Sequence, residues 1–176
     1  MANADGNTQT RPEITPQQPA FADSIATLLK KPQGATMDLF QVLDSCQRYA
    51  DGLIENDNLT ECMALCGRLL AGLEVLKSVL KAPLPAHLIE KLTLKDSETS
   101  DYRTSFAIDS ETLREYCVAL TIALLNNQDL PEQREQMIGM LYEMIFVLAE
   151  DLKAPRFVRS PGGLMMIEGE AVPGIH

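Results

Sequence analysis

Tryptophan is absent from this chain, and histidine occurs only at His87 and at the terminal His176. With so little imidazole, most Ser–His and Cys–His nucleophile schemes have no base to use. His87 stands among prolines and reads as a loop residue. Aromatic residues make up only 5% of the chain although 45% is hydrophobic, so the core has to be built from Leu, Met, Ile, Val and Ala. The phosphate-cradling, dinucleotide and nucleophile-elbow glycine motifs are all missing. No Glu-x-x-His motif occurs, which leaves a ferritin-like di-metal site unsupported. The four cysteines all fall inside helical patterns; Cys62 and Cys66 share a helix face, but two ligands do not make a zinc site. These absences predict a non-enzymatic protein without cofactor or metal. Neither an apolar leader segment nor an apolar run of roughly 18 residues occurs, so we expect no signal peptide and no membrane span. The expected setting is a soluble chain in the reducing cytoplasm.

What the chain does have is negative charge in one place. Its net charge is −10, yet residues 1–31 sum to zero and residues 153–176 to one positive charge. The body, 32–152, holds twenty carboxylates against nine bases. Such a body repels phosphates and anionic lipid heads, which predicts no direct nucleic-acid or membrane binding and favours a basic protein partner.

Along the chain, residues 1–20 are rich in Asn, Thr, Gln and Pro and are expected to form a disordered N-terminal tail. Residues 21–158 read as one helical domain. A short helix over 21–31 ends at Pro32. Thr36 is the expected cap of a second helix over about 37–55, with Leu39, Leu43, Cys46, Ala50 and Leu53 on its inner face. Asn58 and Glu61 have capping-box spacing at the start of a third helix that runs to about Lys81. In this helix Ala71 and Gly72 would let a neighbour approach closely. Prolines 83 and 85 stop it. The stretch 91–108 alternates apolar and polar residues around a six-residue polar run, fitting either a small β-hairpin or a loop with a helical turn after Pro85. A fourth helix runs from about Ser110 to Asn126, and a fifth, capped by Asp129, over 131–152. The predicted architecture is all-α: an up-and-down four-helix bundle with a short N-terminal helix.

The fourth and fifth helices are apolar on more sides than a small bundle consumes. In the fourth, every residue from Cys117 to Leu125 except Thr121 is apolar. In the fifth, Ile138, Tyr142 and Phe146 form a second apolar face beside Met137, Leu141, Met144 and Leu148, and Glu143 falls on a narrow polar strip. These two helices are the expected interface of a homodimer or of another protein, with Ile138, Tyr142 and Phe146 as candidate contacts. Met137, Met140 and Met144 with Met165 and Met166 also suit an adaptable peptide groove, but the first three fit an ordinary core better, which leaves the two tail methionines as the expected contacts. Residues 159–176 read as a flexible C-terminal tail whose apolar tetrad Leu164, Met165, Met166 and Ile167 is a second candidate contact. The functional expectation is an acidic protein–protein interaction module: an adaptor, a secretion-type chaperone or an inhibitor. The alternative is an acidic mimic of DNA that blocks a nucleic-acid-binding protein.

Overall fold

The computed structural model describes residues 25–34, 36–94, 109–126, 130–161 and 163–167. The expected N-terminal tail, the polar run 96–101, the second hairpin arm at 102–108, Asp129 and residues 168–176 lie outside them. Within them the chain is mostly helical, with a small three-stranded sheet. The elements are α1 (Ile25–Lys30), α2 (Leu39–Ile54), α3 (Leu59–Lys81), α4 (Ala86–Lys91), β1 (Thr93–Leu94), α5 (Ser110–Asn126), α6 (Pro131–Lys153), β2 (Phe157–Ser160) and β3 (Gly163–Met166).

The predicted four-helix bundle is formed by α2, α3, α5 and α6. Each packs on two neighbours, in the ring α2–α3–α5–α6. Short links make α2–α3 and α5–α6 antiparallel hairpins. Two polar ties give the remaining pairs the same sense. Lys153, at the end of α6, donates at 2.7 Å to Asp44 Oδ1 and Gln47 Oε1, in the first three turns of α2. Arg114, near the start of α5, reaches Glu74 in the second half of α3 at 3.7 Å. The topology is therefore up-down-up-down. Leucines dominate the centre: Leu43, Leu65, Leu69, Leu73, Leu76, Leu141, Leu148 and Leu152 are almost wholly buried. Burial of each such side chain stabilises the fold by about 1.5–3 kcal/mol before entropy is counted.

Helix starts differ in detail from the expected caps. The cap of α2 is Asp38, not Thr36. Asp38 accepts from the Gln41 amide at 2.9 Å, while the Gln41 side chain accepts from the Asp38 amide at 3.0 Å. Asn58 does cap α3, accepting from the amides of Thr60 and Glu61. Glu61 does not reach back to it; Glu61 instead accepts from the Asn56 side chain, whose own oxygen accepts from the Asn58 amide. At α6 the N-cap residue is Leu130, with no side-chain bond, and Pro131 occupies the first turn. At Gly72 the close approach is realised: an added Cβ would meet Cys46 Sγ at 2.9 Å and Gln33 Nε2 at 3.1 Å. Its neighbour Ala71 is exposed.

The strands gather at the end of the bundle where α3 and α6 finish and α5 begins. The one strand of the 91–108 stretch among the described residues, β1, pairs in parallel with β2, far along the chain, at Thr93–Phe157 and Leu94–Val158. β2 then pairs antiparallel with β3 across a tight turn. Residues 157–160 and 163–166 are thus strands where the sequence suggests a flexible tail from 159. Leu92, Leu94 and Phe157 are buried as well, outside the bundle's main cluster. Gly163 has φ of +119°, a conformation other residues rarely adopt.

Candidate functional site

The described residues offer little reactive chemistry. All four cysteines are free and buried. Burial pushes the thiols of Cys46, Cys66 and Cys117 up to about 12, and raises that of Cys62. They are neutral packing groups at neutral pH. His87 is exposed and faces Asp38 Oδ2 at 3.1 Å, fastening α4 to the start of α2. The Lys91 ammonium lies 5.4 Å from the centre of the Phe40 ring and makes a second tie between the same elements. Among the described residues no group of three or more His, Cys, Asp or Glu side chains is placed to hold a metal ion. None of their helices is long and apolar enough to cross a membrane.

The sequence-predicted contacts fall in three places. Ile138 belongs to the buried core and has almost no surface to offer. Tyr142 and Phe146 are half-buried and stack on each other, with ring centres 4.4 Å apart. They share a stripe of α6 with Ala149 and Lys153, at i, i+4, i+7 and i+11. Since Lys153 reaches α2, that stripe borders α2. Leu164, Met165 and Met166 are half-buried in β3, and Ile167, just beyond it, is 38% exposed. Leu164 also lines an open cleft of about 360 Å³ with Ala86, Ile89, Glu90, Thr93, Arg159 and Gly163. Arg159 and Glu90 face each other across it at 3.9 Å, both largely in solvent.

The largest apolar exposure on the bundle's long helices lies on the outer side of the α5–α6 hairpin. Tyr116 is 51% exposed and Met140 56%, while Ile122, 44% exposed, lies on the flank of α5 that follows Arg114. On α6, Met137, Met140, Met144, Val147 and Asp151 form one stripe by helical spacing. Asp151 accepts a hydrogen bond from the Ser110 hydroxyl at the start of α5, so this stripe borders α5. On α5, Arg114 leans toward α3. Tyr116, Leu120 and Ala123, on the opposite flank of the buried stripe, therefore border α6. Two apolar rows thus meet along one seam, with Ala119 exposed beside it. The sequence favours Met137, Met140 and Met144 as core residues, and it does not single out Tyr116. Its neighbours are apolar all round, and only the partner helices decide which sides are covered.

The exposed charges along this seam are acidic, with Arg156 at its end, 3.9 Å from Asp151. Glu132, Glu143 and Glu150 are exposed and share a stripe with Gln136, next to Met140 and Val147. Glu111 and Glu115, exposed at the start of α5, lie on its other flank, where Arg114 is 3.6 Å from Glu115. Arg114 and Lys153 turn to other helices. Arg114 is 2% exposed and points to Glu74 and Glu115. Arg134 lies near Cys62 of α3 and has a partner of its own. Lys153 is bonded to α2.

No protein-family profile, curated protein or solved structure matches this chain.

Proposed function

We propose that this chain is a non-enzymatic, acidic helical module that binds another protein, as an adaptor, a secretion-type chaperone or an inhibitor. The observation that carries the reading is the half-exposed apolar seam of α5 and α6, with Tyr116 and Met140 at its surface. Methionine adapts its shape to a partner at little cost, and Tyr adds area with few torsions to fix. Four free cysteines fit a cytoplasmic setting. A homodimer through α5 and α6 would use the same seam. The test is affinity capture from the native host with the wild-type chain and with Tyr116→Ser/Met140→Ser. The reading expects a stoichiometric protein that the double variant loses. Identical capture by both would refute it.

A second reading rests on the line of exposed carboxylates Glu132, Glu143 and Glu150: an acidic surface that occupies a DNA-binding protein. It expects the chain to displace duplex DNA from such a protein. It fails if capture depends on Tyr116 and Met140 while DNA is never displaced.

A further inference from the structure

Resting on the proposed role as a partner-binding module, we propose that the α5–α6 seam receives a basic amphipathic helix of another protein. Two antiparallel helices leave a groove, and a third helix fills such a groove by packing its own ridge into it. The apolar row from Met137 to Val147 spans about 15 Å at helical rise, room for roughly three turns of a partner. Along that row the exposed charges are Glu132, Glu143 and Glu150, and Arg114 and Lys153 turn away from them, to Glu74 and Glu115 and to α2. A partner with leucine-like residues on one face and Lys or Arg on its flanks would bury the seam and neutralise the rim together.

Charge also decides against the nearer occupants. A second copy docking about a two-fold axis sets each patch against itself, so the acidic stripe of α6 would face its own duplicate. The chain's own remaining segments have the wrong sign. Residues 1–24 carry Asp5, Glu13 and Asp23 against Arg11. Residues 95–108 carry Asp96, Glu98 and Asp101 against Lys95 and Arg103, and residues 168–176 carry Glu168 and Glu170 without a base.

The test uses a dye-labelled synthetic peptide of about eighteen residues, with Leu and Lys at amphipathic helical spacing, titrated into the full chain by fluorescence polarisation. Two controls accompany it: the same composition reordered to destroy the helical face, and a version with Glu in place of Lys. Wild type is expected to bind the first and neither control. Tyr116→Ser/Met140→Ser and Glu143→Lys/Glu150→Lys, each with an unchanged circular dichroism spectrum, are expected to weaken binding about tenfold or more. Glu55→Lys/Asp57→Lys, which makes the same charge change at the α2–α3 link, is expected to stay within about twofold. Equal binding of the reordered peptide, or an equal loss in Glu55→Lys/Asp57→Lys, would reduce the effect to diffuse attraction and overturn the proposal. So would no binding, or a sedimenting dimer that Met140→Ser disperses. If the peptide fails while capture from the host still depends on Tyr116 and Met140, the module reading stands and only the basic helix is wrong.

Discussion

A methyl group added at Gly72 would sit 2.9 Å from the Cys46 sulfur and 3.1 Å from Gln33 Nε2. The Gln33 amide is the end of a flexible side chain and can yield. Cys46 is 1% exposed and held in the core, so the clash with its sulfur remains. Gly72→Ala is therefore expected to lose about 1–3 kcal/mol in urea unfolding despite the better helix propensity of Ala, and Gly72→Ala/Cys46→Ala to recover part of it. Tyr49 gives the opposite sign. It is fully buried and its hydroxyl has no hydrogen-bond partner among the described residues. Tyr49→Phe removes an unpaired polar atom and is expected to leave stability unchanged or raise it by about 1 kcal/mol. The thiols set a pH limit. Cys46, Cys66 and Cys117 hold their protons to about 12 in the fold, whereas in the unfolded chain they lose them near 9.0. Their contribution is fully present below the unfolded value and is lost as pH rises from there through the folded one. Melting temperature should fall across that alkaline window, and the fall should shrink in Cys46→Ala/Cys117→Ala. The packing role of the cysteines was legible from their positions in apolar periodicity. The stranded Tyr49 hydroxyl was not, because a tyrosine among leucines reads the same with or without a partner.

At the scale of elements, the long helices were legible and their caps only partly. Periodicity and prolines define α2, α3, α5 and α6 to within a residue or two, since each buried stripe repeats every three to four positions over four turns or more. The start of α2 turned on chemistry that short range does not rank. Thr36 and Asp38 are both good caps, and Asp38 wins because Gln41 closes a capping box and His87 of α4 faces the same carboxylate. Burial raises the Asp38 pKa, but bonds from the Gln41 amide and His87 outweigh it and leave the group below its ordinary value. A depressed carboxylate stabilises the fold above the unfolded pKa and ceases to do so as pH falls through the folded one. Asp38→Ala should therefore lower Tm at neutral pH, by the equivalent of about 1 kcal/mol, and the gap to wild type should close below pH 3.8. The sheet lay beyond sequence reading. β1 pairs with β2 across the whole length of α5 and α6, and a two-residue strand has no periodicity to announce a partner so distant.

For the molecule as a whole, the ring of four helices consumes one stripe of each and leaves the rest of α5 and α6 in excess. That excess was visible in composition: residues 116–125 of α5 contain no charge at all. Which residues carry it was not visible. On a helix apolar on several sides, Ile138 and Met140 are equally good core residues, and only the way α6 sits in the ring buries the first and exposes the second. The central claim, that the α5–α6 seam is the docking surface, is tested most directly by methyl-13C labelling of the eight methionines and titration with the Leu/Lys peptide. We predict that Met137, Met140 and Met144 shift together and saturably, while Met37, Met63, Met165 and Met166 stay in place. Shifts confined to Met165 and Met166 would move the binding surface to the β2–β3 hairpin and contradict the account.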